Sequence, residues 1–356
     1  MQARARTAGY YRIILMPLLI IVFIFLADKV FLIPGVQERF TQPNLGVIFR
    51  PLREERLPEE GRIRREIRSG RKIALALGSS MFFGFNRLPP SPAGKKTGKE
   101  KNDTTEWRVF ALAMPAVTML THYTRLQQIF RRGIRPDLII LEFAPSTLNA
   151  ATPLYPHELI HAVPASLALR RLFILPAKIR DASLLSWAFA SMRYRIRLKK
   201  SDESFHDILI GMRMNDILRY QTESHDSLKK NEPVLNKAMY PYYYQLLRKI
   251  ADSYSFDPNL EALLRVMIRQ IRKKGIRLVL VYPPIHPDAY AIVKPRALAR
   301  GWRKIVQGLP PGNYEYRDFN RENFSCDAYV DPAHIHRKCF RRFLRSIIKG
   351  RGVSAP

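Results

Sequence analysis

The sequence predicts an α/β fold: a three-layer sandwich with a mainly parallel sheet and helices on both faces. Three observations carry that expectation. Lys72-Ile-Ala-Leu-Ala-Leu-Gly78, Asp137–Phe143 and Ile276–Tyr282 are short apolar runs, the pattern of strands buried on both faces. Helical periodicity alternates with them, most clearly between Asp257 and Gly275. No segment repeats at a fixed period, which argues against a solenoid.

Residues 1–34 read as a cytoplasmic tail and a transmembrane signal-anchor. Ile13 to Ala27 carry no charge, and extending the run from Tyr10 to Ile33 reaches the ~20 residues a bilayer needs. Arg4, Arg6 and Arg12 precede it and place the N-terminus in the cytoplasm. A cleaved signal peptide is the competing reading. Phe25-Leu26-Ala27 disfavours it, because a bulky residue stands where a cleavage site wants a small one. A buried core helix is the third. Residues 35–71 form a basic juxtamembrane segment, and Arg53–Arg71 reads as a charged helix, a stalk or a membrane-surface helix.

The α/β domain spans residues 72–350. After the first strand comes a polar loop, Pro89–Glu106, and a second strand, Trp107–Met114. A helix over Ala116–Arg132 is closed by Gly133, and the third strand follows. A helical insertion is expected at about 153–240, with Arg193–Lys200 its most basic stretch. Asp257-Pro258 supplies an N-cap and first helical residue. Leu260, Leu263, Leu264, Met267, Ile268 and Ile271 then share one face, and Gly275 is the stop. The fourth strand ends in Pro283-Pro284, and a fifth lies near Tyr314–Phe319. Asp331-Pro332 reads as the start of a last helix through Phe340, Phe343, Leu344 and Ile347.

Lys plus Arg number 60 against 30 Asp plus Glu, a net charge of +30 that favours polyanionic partners. Two cysteines exclude a disulfide scaffold and a four-cysteine zinc site. Spacing alone leaves open whether Cys326 and Cys339 pair.

In a parallel sheet, reactive groups gather at the carboxyl ends of the strands. Ser80, in Gly78-Ser79-Ser80-Met81, stands there on a tight turn before a helix. A hydroxyl needs a base before it attacks an acyl carbon. Asp331-Pro332-Ala333-His334 supplies His334 as base and Asp331 to orient it. In Glu142-Phe-Ala-Pro-Ser-Thr-Leu-Asn149, Ser146 or Asn149 could donate to an oxyanion. The bland readings are a capped turn at Gly78-Ser79-Ser80, an N-cap at Asp331, a solvated loop position for His286, and ordinary helix or surface positions for His122, His157 and His161. A His334-x-His336 metal pair lacks supporting ligands. No metal site or cofactor is expected.

Gly-x-Ser after the first strand, with Asp-x-x-His near the end, resembles the SGNH (GDSL-like) hydrolases. The Leu77-Gly-Ser-Ser80 and Val281-Tyr-Pro-Pro284 stretches resemble its membrane-anchored branch, which includes D-alanyl-lipoteichoic acid transfer proteins and polysaccharide O-acetyltransferases. The layout is also similar to an uncharacterised bacterial family of single-pass, very basic proteins. The resemblance covers about residues 70–350, with four short motif blocks. It implies an SGNH/flavodoxin-like fold, with Ser80 as nucleophile, His334 as base and Asp331 as its partner. The second block departs from the pattern: Met114-Pro115-Ala116 stands where the family offers a glycine, leaving the Ala116 amide for the oxyanion. In the third, Ala144-Pro145-Ser146 replaces Gly-x-Asn.

The expectation is a single-pass inner-membrane esterase or acyltransferase. Its body would lie on the periplasmic, extracytoplasmic side, acting on a cell-envelope glycan, lipid or polymer. The membrane, an anionic envelope polymer or lipid, and a membrane-protein complex are the expected partners. Nucleic acid is not, because no binding motif accompanies the charge. The competing expectation is an inactive SGNH-like binding or scaffold protein.

Overall fold

A computed structural model describes residues 2–33, 36, 49, 51–52, 54–87, 107–114, 117–152, 155–189, 240–312, 314–322, 324, 326 and 329–349. The segments expected at Pro89–Glu106 and Arg193–Lys200 lie outside those residues. In chain order the helices and strands are α1 (Gln2–Asp28), α2 (Glu60–Arg68), β1 (Lys72–Leu77), β2 (Trp107–Ala111), α3 (Met119–Arg131), β3 (Leu138–Glu142), α4 (Tyr155–His161), α5 (Ala165–Arg170), α6 (Ala177–Ala188), α7 (Tyr240–Asp252), α8 (Pro258–Lys273), β4 (Arg277–Tyr282), α9 (Pro287–Ala299), α10 (Trp302–Gln307), β5 (Tyr314–Asp318), β6 (Tyr329–Asp331), β7 (His334–Ile335) and α11 (Arg337–Lys349). Short 3-10 helices follow β1 (Ser80–Arg87) and β3 (Pro145–Leu148).

Five strands form one sheet in the order β2-β1-β3-β4-β5. Every pairing is parallel, from Ala74 opposite Val109 and Leu138 to Leu280 opposite Tyr316. Strand periodicity divides the side chains between two cores. Ile73, Leu75, Leu77, Ile139, Leu141, Leu278 and Leu280 face one core, built with α3 and α8. Ala74, Ala76, Leu138, Ile140, Val279 and Val281 face the other, built with α11 and the 3-10 helix after β1. The protein is therefore α/β with helices on both faces of a parallel sheet.

The helix ends follow local chemistry. The Thr118 side chain caps α3 by accepting the Leu120 amide, so this helix starts later than the sequence suggests. Asp257 caps α8 by accepting the Asn259 amide at 2.8 Å. All six apolar positions of α8 are buried, and each is worth about 1.5–3 kcal/mol.

The second face is aromatic. Phe85 stacks on Phe343 at 5.6 Å, and Phe319 meets Phe343 edge-on at 4.8 Å. A side chain at Gly84 would put its Cβ 2.1 Å from the Phe340 ring, so only glycine lets these layers meet.

Two expectations about the N-terminal region change. The span Tyr10–Ile33 is not one helix, because α1 stops at the buried Asp28 and a 3-10 turn over Lys29–Leu32 follows. Leu15 to Leu26 of α1 are exposed, yet among the described residues no helix is long and apolar enough to cross a membrane. The Lys29 ammonium donates to the Ala188 carbonyl, and Phe25 meets Phe189 edge-on at 6.0 Å, so α1 ends against α6.

The charged segment ending at Arg71 is no free stalk. Ile63 of α2 is fully buried, Glu60 pairs with Arg132 at 2.6 Å, and Glu55 pairs with Arg131 at 2.8 Å. These contacts hold it on the sheet domain. The described part of the expected insertion, residues 155–189, contains helices α4 to α6.

Candidate active site

The strand order sets the position of the site. The chain runs from β1 to β2 on one side, then returns to β3 on the other. In a doubly wound sheet, the crevice at such a reversal lies beyond the carboxyl ends of the two strands. Gly78-Ser79-Ser80 follows β1 there, and Glu142 ends β3 beside it.

The turn after β1 is tight because Gly78 has no side chain. An added Cβ would lie 2.4 Å from the Phe82 ring and 2.9 Å from Glu142 Oε2. Ser80 opens the 3-10 helix, where the first amides lack intrahelical acceptors.

The structure brings Ser80, His334 and Asp331 together. His334 Nε2 lies 2.8 Å from Ser80 Oγ. His334 Nδ1 lies 2.8 and 2.7 Å from the two Asp331 carboxylate oxygens. With Nδ1–H donated to the carboxylate, Nε2 is left to accept the Ser80 hydroxyl proton. Both ring nitrogens are thus committed, which removes His334 from any His-x-His metal pair with His336. Among the described residues, no group of three or more His, Cys, Asp or Glu could hold a metal ion.

The local structure at Asp331 differs from the expected N-cap. Asp331 and His334 pair across a small antiparallel hairpin of β6 and β7, and α11 begins only at Arg337. The Ala333 amide donates to Asp331 Oδ1 at 2.7 Å, so the carboxylate caps a turn rather than a helix. Cys326 and Cys339 form a disulfide, which closes a loop around this hairpin. Closing a loop of that length contributes about 3 kcal/mol.

His286 is not a solvated loop residue. It caps α9 by accepting the Asp288 amide at Nδ1, and Tyr244 Oη lies 3.1 Å from the same nitrogen. Its own amide donates to the Pro332 carbonyl at 3.0 Å, and its ring meets Tyr329 at 5.0 Å. It therefore buttresses the turn that carries Asp331 and His334.

The expected oxyanion donors fare differently. Ala116 lies outside the described residues. Ser146 is half-buried in the 3-10 turn after β3 and is not part of the Ser80–His334–Asp331 chain. Asn149 is fully buried, and its Oδ1 accepts the amides of Ala151 at 3.0 Å and Ser255 at 2.8 Å. Through Oδ1 it fastens the β3 loop to the segment before α8, a structural role that leaves its donor, Nδ2, uncommitted. Its Nδ2 has no partner among the described residues.

One residue at the site escaped the sequence reading. Glu142 is fully buried and accepts the Ser79 amide at 2.5 Å and the Ser79 hydroxyl at 2.9 Å. Burial pushes its carboxyl up to about 7, against the lowering effect of the two Ser79 hydrogen bonds and the His334 charge. Its only sequence signal is an acid at the end of an otherwise apolar run.

His122, His157 and His161 all stand on helices, and two of the three are interior groups. His122 is almost fully buried, and burial alone drives it down to about 3, so it is neutral at physiological pH. His161 is buried and stacks on Phe49 at 6.4 Å. His157 is half-buried on α4.

The fold and site together define an α/β protein with a hydrogen-bonded Ser-His-Asp chain at its sheet crevice. One family model, described as Protein of unknown function (DUF1574), matches residues 10–350, and the chain belongs to that family. No curated protein matches it.

Proposed function

We propose that this protein is a membrane-anchored, extracytoplasmic SGNH-like esterase or acyltransferase acting on a cell-envelope glycan, lipid or polymer. The observation that carries the reading is the 2.8 Å approach of His334 Nε2 to Ser80 Oγ, with Asp331 on the far side of the ring. Ser80 Oγ attacks the ester carbon while its proton passes to His334 Nε2. The imidazolium, held by Asp331, then protonates the departing alkoxide and leaves an acyl-serine. Water or a sugar hydroxyl gives a proton to His334 and takes the acyl group, which restores Ser80.

Three further features support parts of this reading. The strand order β2-β1-β3-β4-β5 agrees with a flavodoxin-like sheet. The Cys326–Cys339 disulfide favours an oxidising compartment such as the periplasm. The exposed apolar side chains of Leu15–Leu26 favour contact of α1 with a membrane, the uncharged run Ile13–Ala27 is the sequence ground for the anchor, and the charge of +30 favours an anionic substrate.

The alternative is an inactive SGNH-like binding or scaffold protein. It is favoured by the two departures from the family pattern, Met114-Pro115-Ala116 and Ala144-Pro145-Ser146, since losing an oxyanion donor costs about 10²–10³ in rate. Labelling of the full-length, detergent-solubilised protein with a fluorophosphonate probe separates the two. Labelling abolished by Ser80→Ala and by His334→Ala is the expected result. A folded wild-type protein that takes no label overturns the esterase reading.

A further inference from the structure

We propose that Glu142 is a positioning residue: its buried carboxylate clamps the Gly78-Ser79-Ser80 turn in the geometry that presents Ser80 Oγ to His334. The inference rests on the esterase reading for its functional consequence, and on geometry alone for the clamp.

The carboxylate ends β3, next to the turn that follows β1, at the point where the sheet reverses its winding order. Both of its oxygens are used: Oε2 accepts the Ser79 amide at 2.5 Å and Oε1 accepts the Ser79 hydroxyl at 2.9 Å. Ser79 is bonded directly to Ser80. The Ser79 carbonyl in turn accepts the Phe82 amide at 3.0 Å, so one carboxylate holds the residue immediately before the 3-10 helix. Gly78 leaves the space for it, since a Cβ there would sit 2.9 Å from Glu142 Oε2.

The ionised carboxylate accepts from both donors. Protonation leaves the carbonyl oxygen to the Ser79 amide but reverses the second bond, the carboxyl O–H donating to Ser79 Oγ, and it exchanges two charge-assisted contacts for neutral ones. The groups acting on Glu142 are the Ser79 amide and hydroxyl and the His334 ring. Val281, its neighbour on β4, carries no charge. Burial keeps the proton on Glu142 up to about 7, so the charge-assisted, stronger form of the clamp is present above neutrality. In a positively charged protein at an acidic or buffered surface, this would make the readiness of Ser80 depend on local pH.

The test uses full-length protein in detergent and two readouts. The first is the rate of fluorophosphonate labelling between pH 5.5 and 9 for wild type and Glu142→Gln. A carboxamide imitates the protonated form at every pH. The expected result is a loss of roughly 10- to 100-fold at pH 8, with the limb near neutrality reduced and probe affinity unchanged. The second readout is the Ser79 amide resonance in labelled protein, which needs no reactive serine. It is expected to move downfield with a midpoint near pH 7 in wild type and not to titrate in Glu142→Gln.

A Ser79 amide resonance that is the same in wild type and Glu142→Gln at every pH overturns the clamp, whether or not Ser80 labels. An amide that titrates in a wild-type protein taking no label keeps the clamp and ends the esterase reading instead. Equal rates and equal pH profiles in wild type and Glu142→Gln overturn the positioning role while leaving the esterase reading intact.

Discussion

Glu142 and Glu158 place the same chemistry in two regions of the molecule. Each is a fully buried carboxylate that accepts one backbone amide and one hydroxyl: Ser79 supplies both for Glu142, while Thr118 and Thr121 supply them for Glu158. Burial pushes both up to about 7. The turns they hold are different. Glu142 holds the residue next to Ser80, at a strand end facing His334. Glu158 holds the start of α3, where the neighbouring His122 is buried and neutral. A buried acid is thus a fastener in this fold. Its place at the carboxyl edge of the sheet is what gives one of the two a chemical consequence.

The sharpest break between the regions is reactivity. His334→Ala is expected to lower fluorophosphonate labelling by about 10³-fold or more, while Glu158→Gln leaves the rate within about twofold. Equal losses would erase the distinction. Next in size is the disulfide, which lies on the Glu142 side. Cys326→Ser with Cys339→Ser should cost about 3 kcal/mol and slow labelling, because Asp331 and His334 both lie in the closed loop. Thermal scans of the double variant beside wild type measure the first effect, and probe kinetics the second.

Glu158→Ala should cost about 2–4 kcal/mol by stranding the Thr118 amide and the Thr121 hydroxyl, with labelling unchanged. An unchanged unfolding midpoint would show that water or backbone takes its place.

The last comparison is the pH dependence of stability. Both glutamates bind a proton more tightly folded than unfolded, rising from 4.5 to about 7. Their stabilisation is therefore complete below about pH 4.5 and lost as the pH rises through about 7. The unfolding midpoint is expected to fall between pH 5 and 8, and Glu158→Gln should flatten that fall without altering the labelling profile. A slope identical to wild type would mean that Glu158 is already ionised at pH 5.

Much of the sheet was legible because β1, β3 and β4 are buried on both faces. Continuous apolar runs such as Ile73–Leu77 have few other uses in a domain of this size. The helix α8 was legible to the residue, since Asp257-Pro258 fixes its start and six apolar positions fix its face. The hairpin of β6 and β7 was not. Its strands hold three and two residues, too few to show a period, and Asp-Pro mimics a helix start.

Helix α3 shows another limit of local pattern. His122, Thr124, Arg125, Gln127 and Gln128 are polar yet buried, because the segment around Phe49–Leu57 and helix α4 cover them, contacts that no spacing within the helix announces. Of the site, Ser80, His334 and Asp331 were found because a strand-end serine and an Asp-x-x-His motif are local signals. Glu142 and His286 act through contacts made across the fold, with Ser79 and with Pro332, and no spacing in the sequence announces them.

Ser80 and His334 are separated by 254 positions, one just after the first strand and the other in the last hairpin. Synthesis therefore delivers the serine well before its imidazole. Throughout that interval the hydroxyl is an ordinary alcohol, and a chain cut short before β7 never acquires a base. The hydrogen bond between the two side chains therefore forms only when the ends of the α/β domain close on each other.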